Sequence, residues 1–201
     1  MKIVEESRII AVFDFDGTIT VKDTLFDFIV FCHGGWKLVA GLLILSPILV
    51  LFKLGFITNE SAKQRMFSFF FKGKKKPDFD LYCQRYSRRI DEITNLEAAD
   101  KIKWHQSEGH QIIIISASIV DWIKPWANTS NIEEVIGTQI EIKDNIITGR
   151  FASKNCYGRE KVNRLLALYP DRDSYKLYAY GDSSGDKELL SIADYPFYRK
   201  F

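Results

Sequence analysis

The chain has 201 residues, of which 46% are hydrophobic and 14% aromatic, and its formal net charge at pH 7 is +2. This composition argues against a disordered chain, and the length suits one main domain with a small accessory module rather than two full domains. Because the net charge is close to zero, no nucleic-acid partner is expected.

The cysteines and the N-terminal residues indicate in which cellular compartment the protein is expected. Cys32, Cys83 and Cys156 are far apart and lack metal-ligand spacing. Scattered cysteines in an odd number are typical of reduced thiols in a cytoplasmic protein. The stretch Met1–Arg8 is charged, and the apolar segment after it carries two aspartates, so no signal peptide is predicted.

Three short apolar stretches predict the strands of a parallel sheet. Each is followed by small or polar residues and then by a helix-like segment: Arg8–Phe13, His110–Ile115 and Lys176–Tyr180. This alternation indicates an α/β fold, in which ligands bind at the carboxyl ends of the strands. A small antiparallel hairpin is predicted from Gly137–Ile142 and Asn145–Phe151, with its turn at Asp144-Asn145. The aromatic and basic tail is left with two alternatives, a last edge strand or a contact with the insert described next.

The segment from about Thr24 to Thr94 lacks this alternation and predicts a helical insert. Inside it, Leu38–Phe52 is uncharged over 15 residues and interrupted by Ser46-Pro47. Roughly 20 residues are needed to cross a bilayer, so a spanning helix is not predicted. Two interpretations stay open. The block forms two short buried helices that meet at Pro47, or it forms an apolar surface that enters a membrane interface or holds an acyl chain.

Two pairs of carboxylates fall at predicted strand ends. Asp14 and Asp16 end the first strand, and Asp182 and Asp186 follow the last one. Four acids at one edge of a sheet repel each other strongly unless a cation lies between them. Oxygen ligands of this charge favour Mg²⁺, which binds through a few carboxylates together with a substrate phosphate.

A hydroxyl and an ammonium group are expected at the same edge. Ser116 follows the second strand, where its hydroxyl and the backbone N–H groups after it suit phosphate oxygens. Lys161 lies near the start of a predicted helix and brings a positive charge to the same anion.

Taken in chain order, the segments DFDGT, SAS, GREKV and GDSSGD resemble the four motifs of the haloacid dehalogenase-like hydrolase superfamily, in particular its phosphoserine phosphatase-like subfamily IB. The resemblance extends from Ile9 to about Asp194. It implies a Rossmann-like core of residues 1–23 and 95–201 with a parallel sheet. It also implies a small α-helical cap of residues 24–94, inserted between the first and second motifs.

The resemblance also implies the chemistry. Asp14 would be the nucleophile that forms an aspartyl-phosphate, and Asp16 the general acid and then the base. Mg²⁺ is the implied cofactor, and its ligands would be Asp14, the Asp16 backbone carbonyl, Asp182 and, in support, Asp186. The implied phosphate-binding residues are Ser116, Ala117 and Lys161.

The expected function is therefore Mg²⁺-dependent hydrolysis of a small phosphomonoester. Asp23 and Arg65 are the candidates for substrate specificity, by similarity to the residues that contact the amine and carboxylate in phosphoserine phosphatases. A second candidate is a lipid phosphate phosphatase at an anionic membrane surface, because Leu38–Phe52 and the lysines after it are similar to the caps of phosphatidylglycerophosphate phosphatases. In that case the cytoplasmic protein would be peripheral at the inner membrane face.

Overall fold

The structure, a computed structural model, describes residues 8–201. These residues form seven strands, β1 Arg8–Phe13, β2 Gln111–Ile119, β3 Glu134–Thr138, β4 Ile140–Lys143, β5 Ile146–Phe151, β6 Tyr175–Gly181 and β7 Tyr195–Tyr198. The same residues form nine α-helices, α1 Thr24–His33, α2 Gly35–Ile44, α3 Ser46–Lys53, α4 Asn59–Phe71, α5 Lys76–Ile93, α6 Leu96–Ser107, α7 Val120–Thr129, α8 Arg159–Leu168 and α9 Lys187–Ser191. Residues 1–7, where the predicted core domain begins and no signal peptide is expected, lie outside this description.

A five-stranded parallel sheet organises the chain. Its strand order is β3-β2-β1-β6-β7, and every neighbouring pair is parallel. Strand β1 therefore lies in the middle, between β2 and β6, the two other strands that the sequence predicts. The predicted α/β fold with a parallel sheet is confirmed, and the ends of its three central strands lie side by side.

Side chains of the central strand alternate between two apolar layers. Ala11 and Phe13 join the hydrophobic cluster on one face, while Ile10 and Val12 join the cluster on the other. Burial on both faces is typical of parallel sheets covered by helices and explains the uninterrupted apolar sequence of these strands. The first cluster also contains Phe28 and Phe67 of the insert, so the insert helices pack on the same apolar layer as the sheet.

The edges of the sheet differ from the prediction. Glu134–Thr138 is a fifth parallel strand, so Gly137 belongs to the sheet and not to the hairpin. The hairpin is β4-β5, and it turns at Asp144 and Asn145 with φ values of 50° and 60°, which both central residues of a type I′ turn require. The tail takes the first of its two alternatives, because β7 pairs with β6 at the other edge.

The segment predicted as a cap consists of helices joined by short loops. Helices α1 to α5 run from Thr24 to Ile93, between the first strand and α6. The hairpin contacts this insert through backbone hydrogen bonds, from Gly73 N–H to the Ile147 carbonyl (2.8 Å) and from Ile147 N–H to the Lys74 carbonyl (2.9 Å). The division of the chain into a core and a separate cap domain stays a prediction.

The apolar block forms two short helices, α2 and α3, which are separated at Leu45. Many of their large apolar side chains are exposed, and those that pack against the core are only partly buried, so two short helices form but they are not buried. The exposed side chains include Trp36, Val39, Leu43, Ile44, Val50 and Leu51. Within residues 8–201 no single helix has the length and apolar character needed to cross a bilayer, although α1 and α2, bent by 117°, meet both criteria when taken together.

Candidate active site

Three side chains from separate elements meet where the central strands end. Asp14 follows β1, Lys161 lies in the first turn of α8, and Asp186 follows β6. The ammonium nitrogen of Lys161 is 2.7 Å from Oδ1 of Asp14 and 2.5 Å from Oδ1 of Asp186. All three side chains are buried, so the ion pairs are little screened by water.

Burial and the neighbouring charges change the pKa values of Asp14 and Lys161. Burial raises the pKa of Asp14 from its ordinary value of 3.8 to about 7; Lys161 lowers it in part and Asp186 raises it further. Burial alone would lower the pKa of Lys161, but the two carboxylates outweigh it and raise that pKa, so the lysine keeps its charge.

A third carboxylate completes an acidic cluster. Oxygens of Asp14, Asp182 and Asp186 lie within 4.8 Å of one another. Oδ1 of Asp182 is buried without a hydrogen-bond partner among residues 8–201, and burial, with the neighbouring Asp186, raises the pKa of Asp182. A buried carboxylate oxygen without a partner is costly unless a cation binds it. The donor set therefore fits the predicted Mg²⁺.

Gly17 leaves space for this cluster. A Cβ added to Gly17 would lie 2.4 Å from Oδ2 of Asp182, and the residue has a φ of 78°. Only glycine combines that backbone conformation with so close an approach at low cost. The glycine of the DFDGT segment thus allows the loop after β1 to lie against the loop after β6.

Asp16 is fixed on both of its carboxylate oxygens. Oδ1 accepts hydrogen bonds from the backbone N–H (2.9 Å) and the hydroxyl (2.6 Å) of Thr24, and Oδ2 accepts one from the Ser118 hydroxyl. The indole N–H of Trp122 donates to the Thr24 hydroxyl at 3.1 Å. Thr24 and Ser118 are site residues that the motifs did not predict, although Ser118 is the second serine of the SAS segment.

The predicted phosphate-binding residues lie beside this carboxylate. Strand β2 continues through Ile119 instead of ending before Ser116, but its pairing register with β3 shifts between Ile115 and Ile119. Such irregularities redirect side chains next to active sites. Ser116 and Ala117 both line the pocket, and the buried Ser116 hydroxyl accepts the N–H of Ser118 at 3.0 Å.

Lys63 of α4 is a pocket residue that the sequence analysis missed. Its ammonium group donates to the Ala117 carbonyl at 2.8 Å, and it lines the cavity that contains Asp14 and Asp16. Burial lowers the pKa of Lys63, while Asp16, Asp23 and Asp14 oppose that shift. No local sequence pattern marks this residue, because its position depends on how the insert packs against the sheet.

Of the two candidates for substrate specificity, Asp23 lines the pocket and Arg65 does not. Asp23 lines the pocket and caps α1, with Oδ1 accepting the N–H of Leu25 at 2.9 Å. Burial raises the pKa of Asp23, and Asp16 adds to the shift. Arg65 is exposed and is not among the residues that line the pocket. Two residues along a helix point about 200° apart, so Lys63 faces the pocket and Arg65 faces away.

The pocket encloses about 370 Å³ between the sheet edge and the insert. It brings together most of the predicted residues with Lys63; its predicted members are Asp14, Asp16, Asp23, Ser116, Ala117, Lys161 and Asp182. Asp186 lies behind Lys161 and is fully buried. Carboxylates, a charged lysine and donors at strand ends form a site that can bind an anion and a cation together.

The chain belongs to the haloacid dehalogenase-like hydrolase family, whose model matches residues 11–191. Protein CicA of Caulobacter vibrioides is 30% identical over 200 residues, which cover 96% of this chain and 86% of that protein. A probable phosphatase of Mycobacterium tuberculosis is 32% identical over 47% of this chain and 33% of its own length. A histidinol-phosphatase of Neisseria meningitidis is 31% identical over 47% of this chain and 46% of its own length.

Solved structures share the fold at low identity. A protein of unknown function from Bordetella pertussis superposes with a TM-score of 0.79 at 21% identity, covering 92% of this chain and 86% of that one. A substrate-bound phosphoserine phosphatase has a TM-score of 0.64 at 15% identity, covering 94% and 84%. These similarities confirm the Rossmann-like core that the motifs imply.

Proposed function

We propose that the chain is a Mg²⁺-dependent phosphatase that hydrolyses a phosphomonoester through an aspartyl-phosphate on Asp14. The observation that carries the proposal is the buried Asp14 carboxylate at a strand end, 2.7 Å from Lys161 and in one pocket with Asp16. A nucleophile, a fixed second acid and a buried cation are the groups that phosphoryl transfer needs. Family membership and the phosphatase names of two relatives support the same conclusion.

The first step transfers the phosphoryl group to the protein. A carboxylate oxygen of Asp14 attacks phosphorus, and the bond from phosphorus to the ester oxygen breaks. Asp16 donates its proton to that oxygen, so the product leaves as a neutral alcohol. The hydrogen bonds from Thr24 and Ser118 hold the Asp16 carboxylate in one orientation for this transfer.

The second step releases phosphate. Asp16, now ionised, takes a proton from a water molecule, whose oxygen attacks the phosphorus of the aspartyl-phosphate. The bond between phosphorus and the Asp14 oxygen breaks, which restores the carboxylate and frees inorganic phosphate.

The charge of the phosphoryl group is offset by groups already in place. The Lys161 ammonium, the Ser116 hydroxyl and the backbone at Ala117 present positive charge or hydrogen-bond donors to its oxygens. Mg²⁺, when bound by Asp14, Asp182 and the Asp16 carbonyl with support from Asp186, supplies further positive charge beside the same oxygens.

The test is phosphate release from a panel of esters. The panel contains p-nitrophenyl phosphate, phosphoserine, histidinol phosphate, sugar phosphates and a lysophospholipid with a terminal phosphomonoester. Each ester is assayed with Mg²⁺ and with EDTA. Release that needs Mg²⁺ and disappears in Asp14→Asn supports the proposal. Absence of release from every ester, or release that Asp14→Asn leaves intact, would contradict it.

A second candidate is the same reaction on a lipid phosphate at an anionic membrane surface. It is favoured by the exposed apolar side chains of α2 and α3, which are flanked by the exposed Lys37 and Lys53. Sedimentation with vesicles that contain phosphatidylglycerol tests it. Binding that 0.5 M salt weakens supports this candidate, and protein that stays in the supernatant at low salt argues against it.

A further inference from the structure

A second, smaller cavity adjoins the catalytic pocket. It encloses about 170 Å³ between helices α1, α3 and α4. Most of its walls are apolar, in contrast to the catalytic pocket; the apolar lining residues are Leu25, Phe26, Leu49, Phe52, Ala62 and Met66. We call this cavity the apolar groove.

The apolar groove adjoins the catalytic pocket and shares part of its lining. Asp23, Asn59 and Lys63 line both cavities and form the boundary between them. The polar groups of the groove are therefore confined to its boundary with the catalytic pocket. A ligand that lies across this boundary has a charged group on one side and an apolar group on the other.

We propose that the apolar groove binds an apolar chain carried by the alcohol of the phosphate ester. This inference rests on the proposed function, because it takes the phosphate to lie beside Asp14. A phosphoryl group held there projects its leaving alcohol away from the sheet, toward the insert that forms the groove. The substrate class is then a phosphomonoester of an amphiphilic alcohol, such as a monoalkyl or single-chain acyl phosphate.

The walls of the apolar groove suit such a chain. Leu25, Ala62 and Met66 are buried, whereas Phe52 keeps 38% of its surface exposed at the side of α3. The groove thus has a packed floor and is open to solvent beside Phe26 and Phe52, whose apolar surface is removed from water when a ligand covers it. Its occupant is the substrate's own chain, since the groove adjoins the pocket that takes the phosphate and shares three lining residues with it.

Helix α3 offers a matched pair of positions for a test. Leu49 lines the groove, while Val50, the next residue, is 55% exposed and is not among the lining residues. Leu49→Trp fills the groove, and Val50→Trp adds the same side chain on the outer face of the same helix. Phe52→Ser removes an apolar wall at an exposed position, which the fold tolerates more easily than a change in the floor.

The experiment measures kcat/KM for n-alkyl phosphates from ethyl to octyl, each below its aggregation concentration. For the wild type we expect a rise of roughly two- to fourfold per methylene until the groove is filled, and then a plateau. Leu49→Trp and Phe52→Ser should reduce the ratio of octyl to ethyl phosphate turnover to about one third or less of the wild-type ratio. Val50→Trp should keep it.

The outcomes separate this inference from the proposed function. Turnover of ethyl phosphate with no dependence on chain length would overturn the inference and leave the proposed function standing. No turnover of any ester, p-nitrophenyl phosphate included, would overturn both. A gain with chain length that is equal in the wild type and in Leu49→Trp would assign the effect to a surface outside the groove, and this would also overturn the inference.

Discussion

Lys161 and Asp14 form an ion pair of 2.7 Å in which both side chains are almost completely buried, at 2% and 8% exposure. The same ammonium group also contacts Asp186. A buried lysine between two carboxylates holds them together without a metal, and above about pH 7, where Asp14 is ionised, the three groups carry one net negative charge. In the proposed reaction this pair would keep the nucleophile in position and present positive charge to the phosphoryl group.

Lys161→Met should lower kcat/KM by about 10²- to 10³-fold, the usual effect of removing one group that stabilises charge in the transition state. Lys22→Met is the matched control, because Lys22 lines the same pocket but its side chain is 51% exposed. The measurement is Mg²⁺-dependent hydrolysis of p-nitrophenyl phosphate per folded protein. Equal losses in the two variants would contradict the role of Lys161.

Lys63→Met should raise KM for phosphate esters by roughly tenfold with a smaller change in kcat. The ammonium group has three N–H donors and gives one to the Ala117 carbonyl, so the others are available to a bound anion. That carbonyl also accepts the Thr138 hydroxyl at 2.8 Å, so it keeps a partner in the variant. Arg65→Met on the same helix is the control and should leave KM unchanged; a larger effect there would favour the specificity residue that the sequence analysis chose.

Short-range patterns in the sequence were enough to predict the central part of the fold. The apolar runs around Val12 and Ile113 predict strands buried on both faces, and the polar residues after them are brought to one edge by the parallel arrangement. The Asp144-Asn145 turn was also predictable, because these residues accept positive φ more easily than most. Each of these signals depends on neighbours in sequence.

The features of the fold and the site that the sequence did not predict depend on contacts between segments that are far apart in the chain. Lys63 reaches the pocket only because α4 packs beside the sheet, and a sequence pattern does not give the rotation of a helix that is apolar on several sides. Ser118 contacts Asp16 through an irregularity in β2 that the run of isoleucines does not reveal. The edge strand Tyr195–Tyr198 is short and contains Pro196, so its pairing with β6 could not be chosen beforehand.

Ser118→Ala should lower kcat by about tenfold for an alkyl phosphate and by less for p-nitrophenyl phosphate. The hydroxyl is the donor to Oδ2 of Asp16, and a carboxylate that loses one of its fixed donors is less well oriented as an acid. A poor leaving group needs that acid more than nitrophenolate does. Ser191→Ala, an exposed serine that bonds the Glu188 carbonyl, is the control. Equal effects on both esters would mean that Ser118 does not act through proton transfer.

Gly17→Ala should raise the Mg²⁺ concentration needed for half-maximal activity by tenfold or more. Its Cβ would lie 2.4 Å from Oδ2 of Asp182, so this carboxylate must move from its position in the acidic cluster. Gly55→Ala is the control, because Gly55 has a φ of 80° and no atom within 4 Å of its added Cβ. Both variants lose about 1–2 kcal/mol of stability from the left-handed backbone conformation. Only Gly17→Ala should change the metal dependence; a parallel change in Gly55→Ala would attribute it to stability.

The contribution of Asp14 to the stability of the metal-free protein should fall as the pH rises from about 4 to 7. Burial raises the pKa of Asp14 from 3.8 to about 7, so the folded protein keeps a proton over this range that the unfolded chain has lost. When the folded state binds more protons, the free energy of unfolding decreases with rising pH, here by up to about 1.4 kcal/mol per pH unit from this group. Asp14→Asn is neutral at every pH and lacks this contribution.

The measurement is urea unfolding in EDTA at several pH values between 4.5 and 7.5. The stability of Asp14→Asn relative to the wild type should increase with pH, whereas that of Asp100→Asn, whose side chain is 77% exposed, should not. Because Asp14 must be ionised to bind a cation, Mg²⁺ should raise the melting temperature of the wild type more at pH 7.5 than at pH 5. A difference between wild type and Asp14→Asn that stays constant across the range would mean that Asp14 is already ionised in the metal-free protein.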